Sequence, residues 1–361
     1  MASFTVAPDL PYDLSEPSFA GSWIGRYSLH PVFSSASADV VLYATDGVAY
    51  RVHSYTLRMA SGFFRDMFTL PQPSPATEEG IPSLSININA ESSTGRSRLV
   101  PTYETSDTLI LFLTLISGMP IDTPLHEWGS LSTSPASARA NPAVSPPCFD
   151  VIDRVLRLAE NWDAPGPISY IRSGILNEQL VNLDPLRLYA IASHFEWDYE
   201  RDWAAQHTLK LDLFQASNIA IQETLERLSS KDLLCLLKLR YRRKEEFKEL
   251  IDDPERFSVG NRENNLCTKC NKALLDNRTW KALKEAMVME MDRRPLGDSI
   301  VGFEVGGIGG EDFVGGILAW PEAEACFGAT CVKEGCGGLN YDKCATLKQI
   351  QDCIDTLPWD L

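Results

Sequence analysis

The clearest pattern of apolar and polar positions lies in residues 37–70. Residues 40–44 (VVLYA) are apolar and partly β-branched, which is typical of a buried strand. Asp46-Gly47 comes next and predicts a hairpin turn in which both residues take a positive φ. Apolar and polar positions then alternate through residues 48–53, so a second strand is predicted to pair with the first.

Two short helices are predicted after this hairpin. Ser54 is a candidate N-cap for the first helix and Ser61 for the second, because a serine hydroxyl can accept a hydrogen bond from a free amide of the first turn. The second helix carries one broad apolar face, which consists of Phe63, Phe64, Met67 and Phe68. We expect this face to belong to the core rather than to a binding surface.

The whole block resembles the BTB/POZ family of interaction domains. The positions that carry the resemblance are Asp39, Asp46, Gly47, His53, Leu57, Ser61, Phe63, Phe64, Met67 and Phe68. They are similar to the form expanded in mushroom-forming fungi (basidiomycetes), in which F-F-R-D-M-F-x-L-P-Q is frequent. The resemblance implies an α+β fold with a short sheet flanked by helical hairpins. It also implies structural roles for Asp39, as a cap of the strand or the turn, and for His53, as a buried residue near Asp39.

The resemblance and the local composition together predict the domain organisation. The predicted parts are an irregular N-terminal segment (1–36), the BTB/POZ domain (37–180), an all-helical extension (181–257) and a small cysteine-containing C-terminal unit (261–361). Within the BTB/POZ domain, residues 71–97 and 121–147 are predicted Ser/Pro-rich insertions that bury too little apolar surface to offset their ordering entropy. The family's strand after the first helical hairpin is expected at residues 81–88 or 98–100.

Length and charge narrow the class of protein. The 361 residues carry a net charge of −16, with an isoelectric point near 4.8, which argues against nucleic acid or an anionic membrane as the main partner. The chain has no apolar run of the ~20 residues that a spanning helix needs. Its first residues lack the basic and apolar regions of a signal peptide. We therefore expect an intracellular protein, cytoplasmic or nuclear, whose nine cysteines are thiols or metal ligands rather than disulfides.

The cysteines are the main candidates for chemistry. Cys267 and Cys270 form a C-x-x-C pair, and Cys331 and Cys336 form a second pair followed by two glycines. Four thiolates in two such turns can hold a structural zinc ion, and Cys326 is a substitute ligand. The gap of about 60 residues between the pairs exceeds the ~15–20 of ordinary zinc ribbons. Two alternatives remain open, namely buried thiols that act as small apolar residues and a redox-active C-x-x-C.

The remaining motifs are weaker. The glycine-rich segment 302–316 is expected to be a flexible loop, and it lacks the third glycine of a dinucleotide fingerprint and the Lys-Ser/Thr of a phosphate loop. The basic run 238–244 (KLRYRRK) is interpreted as a solvated helix face, with nucleic-acid contact as the alternative. Asp39 and His53 are not expected to form an acid–base pair.

No catalytic set survives, so the sequence predicts a non-enzymatic protein-interaction module. The resemblance implies binding to other proteins through the BTB/POZ domain, with a role as substrate adaptor for a cullin-based ubiquitin ligase as the first hypothesis. The alternative is a self-associating scaffold or a transcription-linked protein, which would form a homodimer. A redox enzyme that uses the C-x-x-C pair is a remote third reading.

Overall fold

The computed structural model describes residues 27–70, 98–131 and 147–361, apart from residues 216, 217, 263, 302, 308 and 309. Its described part is a mixed α+β structure, mostly helical, with one small four-stranded sheet. The coarse prediction of an α+β fold is therefore confirmed. The candidate strand at 81–88, the insertion 71–97 and most of the N-terminal segment lie outside the described residues. In the described part of the chain, no helix has the length and hydropathy needed to cross a bilayer.

The chain divides into two compact units. The first consists of residues 1–120 with 157–168, and the second of residues 121–156 with 169–361. Each unit is described by itself, and the domain boundaries proposed from the sequence stay a prediction.

The first unit is built on the four-stranded sheet. Its strands are β1 (Ser28–Leu29), β2 (Val40–Tyr43), β3 (Val48–Val52) and β4 (Arg98–Pro101), in the order β1-β3-β2-β4. β2 and β3 form the antiparallel hairpin that the sequence predicted, while β4 pairs with β2 in parallel. β4 coincides with the candidate strand at 98–100.

The turn of the hairpin differs from the prediction. Gly47 has a φ of 87°, but Asp46 is not among the described residues with a positive φ. The Gly47 amide donates to the carbonyl of Ala44, so the turn needs only one left-handed residue, the glycine that rejoins β3.

The two aspartates that flank β2 cap two helices. Asp39 accepts hydrogen bonds from the Ser54 amide at 2.7 Å and the Ser54 hydroxyl at 2.6 Å, at the start of α1 (Ser54–Ala60). Asp46 accepts the equivalent pair from Ser106 at the start of α3 (Ser106–Ile116). Burial raises the pKa of Asp39, but the hydrogen bonds from Ser54 outweigh it and lower the pKa overall. The prediction of Ser54 as an N-cap is thus wrong. Ser54 is the first residue of α1, and it donates to the capping carboxylate of Asp39.

The start of helix α2 (Gly62–Thr69) is hydrogen-bonded to the turn at residues 162–163, which is distant in the sequence. Ser61 accepts from the Phe64 amide, as predicted, and donates its own hydroxyl proton to the carbonyl of Trp162 at 2.5 Å. The Gly62 amide donates to the carbonyl of Asp163 at 2.9 Å. A Cβ on Gly62 would lie 1.8 Å from a carboxylate oxygen of Asp163, so only glycine allows this approach.

The core of the first unit lies between the sheet and these helices. Its fully buried side chains include Leu42, Tyr50, Leu57, Phe64 and Phe112. Met67 and Phe68 pack against this core as half-buried residues. The expectation that the whole apolar face of α2 is core is wrong for Phe63, which is 43% exposed, and the expectation of a buried His53 is also wrong, because this histidine is exposed. His53 occupies the N-cap position of α1, but its side chain makes no capping hydrogen bond, since Asp39 accepts from Ser54 there.

The second unit is almost entirely helical. The unit boundaries fall within α4 (Pro147–Asn161), which ends in the first unit, and α5 (Pro165–Ile175), which begins there. The remaining helices are α6 (Glu178–Leu183), α7 (Pro185–His194), α8 (Asp198–Thr208), α9 (Ile219–Arg227), α10 (Ser230–Asp252), α11 (Ser258–Asn261), α12 (Arg278–Arg293), α13 (Pro321–Phe327) and α14 (Lys343–Asp355). Helices α10, α12 and α14 share one core, to which they contribute Phe247, Met287 and Ile350.

Two segments of this unit are more ordered than their composition suggested. Residues Leu125–Leu131 form a 3₁₀ helix in which Trp128 is fully buried and donates its indole proton to the carbonyl of Thr123, although 121–147 was predicted to be an unordered insertion. The glycine-rich segment, expected to be a loop, forms the hairpin of β5 (Phe303–Gly307) and β6 (Gly310–Val314).

Substitution Gly62→Ala tests the closure of α2. We expect a loss of about 1–3 kcal/mol in the free energy of unfolding, because the new methyl group overlaps the Asp163 side chain. Asp163 has a φ of 48°, which glycine adopts freely, so Gly62→Ala combined with Asp163→Gly should recover at least half of that loss. Chemical denaturation of Gly62→Ala, Asp163→Gly and the double variant measures both values. Additive losses in the double variant would contradict the proposed close contact.

Candidate metal centre

Cys267 and Cys270 lie in a tight loop that precedes α12. The Cys267 amide donates to the carbonyl of Ala273 at 2.8 Å, and Leu266 and Leu274 form an antiparallel bridge that closes the loop. Asn271 has a φ of 50° and returns its amide to the carbonyl of Cys267 at 2.8 Å. This turn directs both sulfur atoms to the same side. We call residues 266–274 the first cysteine loop.

Cys331 and Cys336 lie in a similar loop that precedes α14. The Cys331 amide donates to the carbonyl of Gly338 at 2.8 Å, and Thr330 and Leu339 form the closing bridge. Gly335 and Gly337 have φ values of 74° and 57°, a backbone region that favours glycine. We call residues 330–339 the second cysteine loop.

The two loops bring all four sulfur atoms together. The Sγ atoms of Cys267 and Cys336 are 3.8 Å apart, those of Cys270 and Cys331 are 3.7 Å apart, and all four lie within 4.8 Å of one another. A tetrahedral zinc ion with Zn–S bonds of about 2.3 Å requires sulfur–sulfur distances of about 3.8 Å. The cluster therefore has the dimensions of a mononuclear tetrathiolate site. It is too compact for an iron–sulfur cluster, whose cysteines bind separate iron ions.

The close packing of the two loops depends on Gly338. A Cβ on Gly338 would lie 2.9 Å from the Cβ of Lys269 and 3.3 Å from the sulfur of Cys267. The backbone of the second loop thus passes directly against the first. No larger residue at position 338 leaves the sulfur positions unchanged.

The electrostatics of the cluster favour a bound cation. Backbone amides of Ala273 and Lys272 lower the pKa of Cys270 to about 6. For Cys331, the amide of Lys333 lowers the pKa, but burial and the neighbouring cysteines outweigh it, so the pKa is raised. Thiolates at these distances repel one another, so one sulfur keeps its proton unless a divalent cation offsets the charge.

Four protein sulfurs leave no open coordination position. A zinc ion held in this way has no place for water or substrate, so the site suits a structural role and not Lewis-acid catalysis. The two loops lead directly into Trp280 of α12 and into Tyr341 before α14, whose rings stack with centroids 6.0 Å apart. An ion at the cluster would therefore hold together the starts of two core helices.

The structure separates Cys326 from this cluster. Cys326 lies in α13, is fully buried, and belongs to the core of the second unit, where burial raises its pKa to about 12. It fits the reading of a buried thiol that packs as a small apolar residue. Its predicted use as a substitute ligand has no support in this geometry.

The basic run in α10 has a role that the sequence did not reveal. Arg240 and Arg243 are 5% and 0% exposed, so neither the interpretation as a solvated face nor a nucleic-acid contact applies to them. Arg240 donates to the carbonyls of Thr208, Leu211 and Arg293. Arg243 donates to four carbonyls, those of Pro295, Leu296, Leu357 and Pro358. These arginines connect α10 to the carbonyls of turns and helix ends that are distant in the sequence.

The Asp39–His53 pair has no catalytic geometry. Both carboxylate oxygens of Asp39 accept hydrogen bonds from Ser54, and His53 is exposed. For Asp39, this arrangement agrees with the predicted structural role, because the carboxylate caps the start of α1.

Comparisons of the chain with protein-family models, with curated proteins and with solved structures find no match.

Substitution Arg243→Met tests the role of the buried guanidinium. We expect a loss of about 3 kcal/mol or more in the free energy of unfolding, because four buried or partly buried carbonyls lose the Arg243 donor while the hydrophobic volume is kept. Lys238→Met removes an exposed cation from the same helix and should change stability by no more than about 0.5 kcal/mol. Denaturant titration of both variants measures the difference. Equal effects would contradict the carbonyl-clamping role.

Proposed function

We propose that this chain is a non-enzymatic protein-interaction protein with two working parts. The first unit is a BTB/POZ-type module that binds another protein. The second unit is a helical body whose last third is held by one structural zinc ion. The four-sulfur cluster carries the zinc assignment, and the α1–α2 surface together with the order of elements supports the interaction role.

The zinc assignment rests on the fit between the four sulfurs and a tetrahedral ion. The cluster joins two loops that are poor in buried apolar side chains, since Thr268, Lys269, Lys272, Lys333 and Glu334 are all exposed. Such loops gain little from the hydrophobic effect, so a metal cross-link is the natural source of their order. Exposed lysines in both loops also offset part of the net charge of −2 that a zinc tetrathiolate carries.

The interaction role rests first on the architecture of the first unit. A strand hairpin, a helical hairpin, a strand parallel to the first strand and then a buried helix follow one another in the order that the BTB/POZ resemblance implies. Asp39, Asp46, Ser61 and Leu57 occupy capping or core positions, which agrees with structural roles for these signature residues. The family assignment is supported by this agreement and by the resemblance.

The helical hairpin supplies a surface suited to a protein partner. Tyr55 and Met59 of α1 are 72% and 65% exposed and lie four positions apart, hence on one face of the helix. Phe63, at the start of α2, is also exposed, and its ring stacks on Trp162 with centroids 6.4 Å apart. Aromatic residues and methionine are enriched in interfaces. We propose that α1 binds a cullin-type scaffold and that the chain is an adaptor for a ubiquitin ligase.

Zinc content is the direct test of the metal assignment. Full-length protein purified without chelator should hold about one zinc ion per chain by mass spectrometry of the metals. Cys270→Ser should reduce the zinc content at least about tenfold, since one of four thiolate ligands is lost. Cys344→Ser, which changes an exposed cysteine outside the cluster, is the matched control and should keep the metal. Wild-type protein with less than about 0.2 zinc per chain would overturn the assignment.

Affinity purification tests the interaction surface. Tagged full-length protein should recover a cullin-type scaffold, and Tyr55→Glu/Met59→Glu should reduce recovery about tenfold or more by placing charge on the contact face. Tyr199→Glu, which alters an equally exposed aromatic residue of α8, is the control for surface charge and should leave recovery unchanged. Light scattering on the same samples distinguishes self-association. A homodimer that the double variant disrupts, without any recovered scaffold, would favour the alternative of a self-associating protein.

A further inference from the structure

Two short sulfur–sulfur distances of the cluster cross from one cysteine loop to the other. Cys267 faces Cys336 at 3.8 Å, and Cys270 faces Cys331 at 3.7 Å. A disulfide at either pair requires the sulfurs to approach by less than 2 Å, to the bond length of about 2.05 Å, which side-chain rotation can supply. The arrangement is thus prepared for two bonds that connect the same loops as a metal ion does.

Cross-loop bonds and within-loop bonds have different consequences. A bond from Cys267 to Cys336 joins positions 69 apart in the chain, and a bond from Cys270 to Cys331 joins positions 61 apart. Bonds within each loop would instead leave the two loops free to separate. Only the cross-loop pairing can replace the metal ion as a cross-link between the two loops.

The cluster is also the one place in the described part of the chain where four cysteine sulfurs lie together. Cys148, Cys326 and Cys353 are buried, and burial raises the pKa of each of them. In the cluster, Cys270 and Cys336 are partly exposed, so a small oxidant can reach them. Cys344 is exposed but stands outside the cluster. An oxidant that reaches Cys270 or Cys336 therefore finds the other three cluster sulfurs within 4.8 Å, whereas the partly exposed Cys235 lies outside the cluster.

We propose that the four-cysteine cluster is a redox-sensitive clasp that exchanges its zinc ion for two cross-loop disulfides when it meets a peroxide. Two peroxide molecules take four electrons from the four thiolates and, with four protons, become four water molecules. The thiolates form the bonds Cys267–Cys336 and Cys270–Cys331, and Zn²⁺ is released. The release step rests on the proposed structural zinc, whereas the pairing rests on the sulfur positions alone.

The proposal defines three states of the second unit. The zinc-bound and the oxidised states keep the two loops together, so the stacked Trp280 and Tyr341 that follow them stay in place. The reduced, metal-free state has no cross-link between two loops that bury few apolar side chains, and its loops open. Oxidation thus releases the metal ion while the two cysteine loops stay cross-linked.

Peptide mapping of the full chain tests the pairing. Full-length protein purified without chelator is oxidised with hydrogen peroxide, blocked, digested and analysed by mass spectrometry. The expected result is Cys267–Cys336 and Cys270–Cys331 as the dominant bonds. In Cys336→Ser only Cys270–Cys331 should remain, while Cys344→Ser should match the wild type. Dominant bonds within each loop, or a bond to Cys344, would overturn the proposal.

Two further measurements complete the test. A zinc indicator should report one zinc released for every two peroxide molecules consumed. Hydrogen exchange of residues 266–274 and 330–339 should be similar in the zinc-bound and oxidised states and about tenfold faster or more in the reduced, metal-free state. Fast exchange in the oxidised state contradicts the clasp. Purified protein without zinc but with cross-loop bonds would reject the zinc assignment alone, whereas bound zinc with within-loop bonds would reject the clasp alone.

Discussion

The meeting of four cysteine sulfurs is the constraint on which the end of this chain depends. The sulfurs come from two loops more than 60 positions apart, and cross-loop pairs are 3.7 and 3.8 Å apart. The loops are largely exposed and contribute little to the core. Four thiolates at such distances would repel each other, and a bound cation or a covalent bond would offset that repulsion. Helices α12 and α14 begin within four residues of these loops, so a link at the cluster would hold the starts of both helices.

In the first unit, hydrogen bonds link helix starts to segments that are distant in the sequence. Asp39 and Asp46, one at each end of β2, each accept an amide and a hydroxyl proton from a serine at the start of a helix. The start of α2 is closed by carbonyls about one hundred positions later in the chain, across a contact that only Gly62 permits. Polar contacts between distant segments thus set the helix positions, and the apolar core fills the space that they define.

The sequence was most informative where structure is decided locally. The β2–β3 hairpin and the capping Ser61 follow from alternation, turn residues and short-range capping, which adjacent residues specify, and β4 coincides with 98–100, one of the two strand candidates. The burial of Arg240 and Arg243 was missed, because a charged run usually faces water and their carbonyl partners come from distant turns. A signal was present: Leu236, Arg240, Arg243, Phe247 and Ile251 recur at helical spacing, so the arginines belong to the apolar face. For Asp46, no local pattern could identify Ser106 as its partner.

The cysteine pairs combine a local signal, which the sequence shows, with a long-range contact, which it does not. Their spacing indicated four ligands, but the long gap left open whether the pairs meet, and only the folded chain brings them together. The central claim is that one zinc ion is bound there by four sulfurs. X-ray absorption at the zinc edge of the full-length protein measures this directly. The account predicts a single shell of four sulfur atoms at about 2.3 Å. A shell of nitrogen or oxygen ligands would contradict it.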